Sequence, residues 1–251
     1  MSWRCSARGA LAAVALMGVA AANAQAPQRA ELCRPVVHAG ANYTVCTVDL
    51  RRHELKLFLK SPDGSPYGSF SRLTQSQPGL LFAMNAGMYH DDRSPVGLYV
   101  ENGQELKAAN TKPGPGNFHL KPNGIFYAAG ASAGVLETGR FLKTKPRADI
   151  ATQSGPMLVI DGRIHPKFSD TSASLKIRNG VGVRDATTVV FAISEEPVSF
   201  AAFARLFRDA MKCRNALFLD GSISSLYAPG LSRTDALRPM GPIVGAVERR
   251  R

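Results

Sequence analysis

The chain has 251 residues, with 31 Lys plus Arg against 19 Asp plus Glu and a formal charge of +12. After the first 26 residues no apolar run reaches the ~20 residues that a membrane-crossing helix needs, so no transmembrane segment is expected. The basic residues are scattered, gathering only at Arg249 to Arg251, which reads as a solvated tail. That distribution excludes nucleic acid as the expected partner and favours anionic ligands such as phosphate esters and anionic glycans.

At the N-terminus, Arg4 and Arg8 precede the Ala-rich run Ala10 to Ala22, and Ala22-Asn23-Ala24 or Ala24-Gln25-Ala26 offers a cleavage site. This is the pattern of a secretory leader over residues 1–26. It predicts a periplasmic or secreted protein with one domain over 27–251, large enough to need no staples, and leaves its oligomeric state open. With Cys5 in the leader, Cys33, Cys46 and Cys213 remain. An oxidising compartment favours one disulfide, expected between Cys33 and Cys46 in the first strand region, with Cys213 a buried thiol.

The rest reads mostly as strands. "YTVCTVDL" (43–50) and "HELKLFLK" (53–60) alternate apolar and polar residues, and Arg51-Arg52 between them suggests a hairpin turn. "LLFAMNAGMY" (80–89) begins as a buried strand, and "GIFYAA" (124–129) is another. "GLYVENGQELKAA" (97–109) and "PMLVIDGRIHP" (156–166) predict hairpins turning at Asn102-Gly103 and Asp161-Gly162. One helix stands out: Ser199 is a natural N-cap, and Phe200, Phe203, Leu206, Phe207 and Met211 recur at helical spacing. Flanked by "TTVVFAIS" (187–194) and "ALFL" (216–219), it predicts a βαβ crossover. The expected fold is therefore a strand-rich α/β (α+β) domain with a mixed sheet, hairpins and at least one such crossover.

Ligands of such sheets sit beyond the carboxyl ends of strands, where Asp220 and Glu195 fall. Five segments run from an apolar strand into glycine and small polar residues: 85–92, 117–124, 152–158, 177–184 and 219–227. Glycine admits close backbone approach, and Asn, Gln, Ser and Arg donate hydrogen bonds to sugar hydroxyls and phosphates. No G-x-S-x-G elbow and no Walker loop is present. The five histidines are isolated, which disfavours zinc. "HDD" (90–92) offers oxygen ligands to a hard cation but equally describes a solvated turn. Asp220 is either a turn carboxylate or a catalytic one.

Taken in order, "NAGMYHDDRSPVGLYVENG", "NFHLKPNGIFY", "QSGPMLVIDGRI", "IRNGVGV" and "ALFLDGSISSLY" resemble the phosphodiester glycosidase family, which includes the animal lysosomal uncovering enzyme. The similarity is strongest to its short, exported bacterial branch. It implies a glycosidase acting at the anomeric C–O bond of a sugar 1-phosphodiester. On that reading Asp220, Arg178 and Asn85 are the catalytic set. Arg178 clamps the phosphate, and Arg184 assists. Gly87, Asn123, Gln153, Ser154, Gly155, Gly221, Ser222 and Ser225 line the substrate pocket. Calcium or magnesium is the only cofactor left open, at Asp220 or at Asp91 and Asp92. Two other readings stay open: a non-catalytic glycan-binding protein, and a metal-dependent phosphodiesterase cutting the P–O bond.

Overall fold

The structure, a computed structural model, describes residues 1–3, 31–236 and 238–249. The expected leader, beyond its first three residues, and Arg250 and Arg251 lie outside the described residues. From Glu31 onward the chain runs β1 (Cys33–His38), β2 (Ala41–Asp49), β3 (His53–Phe58), α1 (Phe70–Ser76), β4 (Leu80–Asn85), β5 (Tyr99–Glu101) and β6 (Gln104–Lys107). It continues through β7 (Gly124–Ala129), β8 (Ser132–Glu137), α2 (Thr138–Thr144), β9 (Ile150–Ser154), β10 (Met157–Ile160), β11 (Arg163–Ile164) and β12 (Asn179–Asp185). The last elements are β13 (Thr188–Ser194), α3 (Phe200–Arg205), β14 (Asn215–Phe218), β15 (Leu226–Ala228), β16 (Arg233–Thr234) and β17 (Ile243–Glu248).

Among the described residues these strands form three sheets, ordered β1-β2-β13-β12-β14-β10-β11, β16-β15-β4-β17-β3 and β6-β5-β9-β7-β8. Alternation along the strands explains their assembly. In β13, Val189, Phe191 and Ile193 enter the central core, while Val190 and Ala192 face the opposite side against Phe203 and Phe207. Both faces of this strand are buried, which is why its sequence is almost continuously apolar. Phe82 of β4 and Phe126 of β7 meet Phe191 with ring centroids 4.9 and 5.8 Å apart. Each sheet thus sends one phenylalanine to a common centre. The outer faces are covered by helices: α3 on the first sheet, α1 through Phe70 and Leu73 on the second, and α2 through Phe141 on the third.

The fold class agrees with the sequence expectation, with refinements. Strands β13 and β14 run parallel around α3, but β12 lies between them and pairs antiparallel with both. The expected mixed sheet is not found among the described residues: all neighbouring strand pairs described are antiparallel, in three separate sheets. The turn at Arg51-Arg52 is not a hairpin turn, because β2 pairs with β1 and β13 whereas β3 pairs with β17 in another sheet. The two expected hairpins form, with Asn102, Gly103, Asp161 and Gly162 all at positive φ. Ser199 caps α3 by accepting from Ala202 N at 3.1 Å. Cys33 and Cys46 are cross-strand partners joined by a disulfide, and Cys213 is a buried free thiol whose pKa burial pushes up to about 12. Arg249 is not a free tail: it donates to Leu50 O at 2.9 Å and Gly130 O at 2.8 Å. No helix among the described residues is long and apolar enough to cross a membrane.

The phenylalanine contact yields a direct expectation. Phe191→Ala should cost about 3–5 kcal/mol, the usual loss for emptying a large buried aromatic site. Urea unfolding should show a lower midpoint at unchanged slope. A cost under about 1 kcal/mol would mean that the three sheets do not depend on this contact.

Candidate active site

The ends of three strands from two sheets converge beside α3. Leu219, just past β14, still donates its N–H to Asn179 O at 3.1 Å. The chain then leaves the sheet at Asp220 and makes a tight turn, Ser222 N donating to Asp220 Oδ1 at 2.9 Å. Gly221 is required here because a Cβ would lie 2.6 Å from the ring of Phe218. The turn is tied down by Asn85, the wholly buried last residue of β4. Asn85 Nδ2 donates to Asp220 O at 2.9 Å, and its Oδ1 accepts from Asn179 Nδ2 and Ser225 N, each at 2.9 Å.

These strand ends border a cavity of about 680 Å³ whose walls carry Asp220, Gly221, Ser222, Arg178, Lys176, Arg238, Tyr89, Asn117 and Ser174, with Met88, Val96 and Phe218 as apolar surface. Arg178 is the most unusual group. It is 1% exposed, yet no carboxylate pairs with it among the described residues. Its Nε donates to Val198 O and its Nη2 to Ser174 O, both at 2.8 Å, and its guanidinium lies 3.6 Å from the centroid of Phe200. Nη1 makes no hydrogen bond among the described residues. Burial lowers the Arg178 pKa to about 10, so it remains charged at neutral pH. Lys176 and Arg238 also form no ion pair among the described residues.

With these three cations, the cavity wall carries Asp220, the only carboxylate among the lining residues. Burial raises its pKa, outweighing the hydrogen bonds from Ser222 that lower it. The Tyr89 phenol is raised too, by burial and then by the nearby Asp220 charge. A pocket with one carboxylate and three cations suits a dianionic or diester phosphate, leaving a carboxylate free to face a developing positive centre.

Of the residues singled out from sequence, Asp220, Arg178, Gly221 and Ser222 meet in this cavity. The others do not line it. Gln153 has both side-chain atoms engaged with Leu98 N, Asn110 N, Asn110 O and Thr138 Oγ1. Asn123 donates to Phe118 O and accepts from Thr138 Oγ1. Ser225 Oγ donates to Ile223 O, and Ser154 Oγ is buried without a partner. Gly87 packs where a Cβ would meet Gln153 O at 2.5 Å, and Gly155 where it would meet Phe118 O at 2.8 Å. Arg184 lies at the opposite end of β12 and donates to Met211 O. Glu195 is turned away into an ion pair with Arg233 at 2.7 Å. In the 90–92 segment, Asp92 accepts from Ser94 N and Oγ, as a turn residue does. Tyr89, Asn117, Lys176 and Arg238 were not singled out from sequence. Tyr89 and Asn117 lie inside two of the five glycine-bearing segments, whereas Lys176 and Arg238 carry no local signal.

Known proteins resemble this chain in sequence and in fold. The sequence model of the phosphodiester glycosidase family matches residues 78–245. An uncharacterised protein of Escherichia coli K12, YigE, is 37% identical over 187 residues, covering 73% of each chain. The catalytic domain of zebrafish N-acetylglucosamine-1-phosphodiester alpha-N-acetylglucosaminidase, auto-inhibited by its pro-peptide, superposes with a TM-score of 0.60 at 12% identity, over 87% of this chain and 82% of that one. A hypothetical protein from Synechocystis superposes at 0.58 and 14% identity, over 86% and 61%.

Asn85→Ala should lower stability by about 2–5 kcal/mol, because it orphans the Ser225 N–H and the Asp220 carbonyl and leaves Asn179 Nδ2 only the Asn85 carbonyl. Chemical denaturation measures this directly. A loss below about 1 kcal/mol would show that the turn is held without the Asn85 amide.

Proposed function

This chain belongs to the phosphodiester glycosidase family, and from that premise we propose that it is an exported hydrolase cleaving the anomeric C–O bond of a sugar 1-phosphodiester in envelope or extracellular glycans. The observation that carries the proposal is one partly buried carboxylate, Asp220, sharing a cavity with three cations that form no ion pair among the described residues. The leader-like N-terminus and the Cys33–Cys46 disulfide support export.

Breaking the anomeric bond builds positive charge on the sugar ring. Asp220 stabilises that charge or activates the attacking water. The bond's electrons leave with the phosphate, which departs as a monoester anion and needs no strong acid. Arg178, with its free Nη1, holds the phosphate, and Lys176 and Arg238 add charge along the same wall. Asn85 acts through Asp220, fixing its backbone rather than touching the sugar.

The test is turnover of the methyl diester of N-acetylglucosamine 1-phosphate, with EDTA and with added calcium or magnesium. Free sugar and a phosphomonoester are expected. Sugar phosphate would instead indicate a phosphodiesterase, and binding without turnover a glycan-binding protein. Asp220→Asn should lower kcat by roughly 10²–10⁴-fold; near-normal turnover would remove Asp220 from the mechanism.

The raised Asp220 pKa fixes two signs. The active form is the anion, so activity should fall as pH drops through a value above the ordinary carboxylate pKa, and Asp220→Asn should lack that limb. Because the fold favours the protonated form, Asp220 contributes stability below its unfolded pKa that is lost as pH rises through its folded one. Asp220→Asn should therefore be at least as stable as the parent at neutral pH. Arg178→Lys should raise KM about tenfold, since a single ammonium nitrogen cannot occupy the separate positions of Nε, Nη2 and Nη1 at once. Unchanged KM and kcat would exclude a phosphate role.

A further inference from the structure

A second cavity, of about 330 Å³, borders the first, and a third, of about 560 Å³, borders the second, each within the range of ligand-binding clefts. One loop, residues 88–96, contributes to all three: Met88 and Tyr89 to the first, His90 to the second, and Asp92 to Pro95 to the third. Val96 is shared by the first and second, and Lys107 by the second and third. The facing wall is likewise one segment, residues 106–117, running from Leu106 in the third cavity through Lys112 in the second to Asn117 in the first.

This trough is built by ordered contacts. The loop is closed on itself by His90 N to Ser94 O at 2.8 Å and Val96 N to Met88 O at 2.9 Å. The facing segment is held from below by Gln153, which bonds both the N–H and the carbonyl of Asn110 at 2.8 Å. Asn110 Nδ2 donates across to Val96 O at 3.2 Å, joining the two walls.

The charge along the trough is lopsided. Beyond the first cavity it carries Lys60, Arg93, Lys107 and Lys112, none in an ion pair among the described residues. The acids there are Asp92, engaged by Ser94, and Glu101, which accepts from Tyr99 Oη at 2.7 Å. Four cations without an ion pair, Arg93 among them lying 5.5 Å from the Tyr89 ring centroid, against two carboxylates suit a chain with repeating negative charges better than a single small diester.

We infer that the trough is an extended substrate groove, and that the substrate is a polymer of sugars joined through phosphodiesters, with several repeats held at once. The bond cut lies in the Asp220 cavity, and further phosphates lie along Lys112, Lys107, Lys60 and Arg93. This rests on the hydrolase reading for its chemistry, but its binding is separable.

The test compares the methyl diester of N-acetylglucosamine 1-phosphate with short and long oligomers of N-acetylglucosamine 1-phosphate joined by phosphodiesters. For the parent protein, kcat/KM should rise with oligomer length by about tenfold or more, and the gain should shrink with salt. The double substitution Lys107→Glu, Lys112→Glu should lose roughly that tenfold on long oligomers and leave the methyl diester unaffected. Both side chains are exposed, so the variant should fold, and its thermal midpoint checks this. Length-independent kcat/KM, or an equal loss on both substrates, overturns the groove. If no diester is hydrolysed, the hydrolase reading falls, and calorimetric titration with the same oligomers decides the groove alone. Length-dependent binding lost in the double variant then sustains it, and absent or length-independent binding overturns it.

Discussion

A single buried amide holds the site together. Asn85 ends β4 in one sheet, Asn179 begins β12 in another, and the turn at Asp220 follows β14. Without this link, two buried backbone groups, the Asp220 carbonyl and the Ser225 N–H, would lose their partner, a cost of about 1–3 kcal/mol for each unsatisfied group, and Asn179 Nδ2 would lose one of two acceptors. The carboxamide of Asn85 serves all three because it offers a donor to the Asp220 carbonyl and two acceptor sites to Asn179 and Ser225. Neither Asp, which lacks the donor, nor Leu, which lacks both, can replace it. The position of the Asp220 carboxylate follows from this tie and from the Gly221 turn lying flat on Phe218.

The electrostatics of the cavity follow from the same placement. Sheet packing and α3 bury Arg178 against Phe200, and two backbone carbonyls replace water around its Nε and Nη2. That solvation by fixed dipoles and a ring face lets the guanidinium stay charged with no acid beside it. Asp220, partly buried and with no cation close enough for an ion pair, is pushed the other way, toward its protonated form. A cavity lined by three cations and one carboxylate that form no ion pair with one another suits a ligand that carries both an anion and a developing cation. In a site of reduced dielectric such preorganised charges act more strongly than in water.

Much of the scaffold was legible because strand alternation and turn chemistry are local. Asn102-Gly103 and Asp161-Gly162 require positive φ and obtained it, and Ser199 capped its helix. The break at Arg51-Arg52 was misread because alternation tells which face of a strand is buried, not which sheet the strand joins. Helices α1 and α2, of seven residues each, are too short for a helical repeat to declare itself. Asp220 and Arg178 were visible as charges at strand ends. Asn85, Asn123 and Gln153 were visible too, but an amide at a strand end looks the same whether it will hold backbone or ligand. Arg184 fell to strand geometry: six residues of extended chain beyond Arg178 span about 20 Å. Tyr89 and Arg238 reach the cavity only through the packing of distant segments.

On the proposed mechanism the cavity stabilises charge at the anomeric carbon and not at phosphorus. Hydrolysis of a glycosyl 1-phosphodiester in ¹⁸O-labelled water tests this most directly. Cleavage of the C–O bond predicts the label on the released sugar and none on the phosphomonoester. Label recovered in a phosphate group would contradict it.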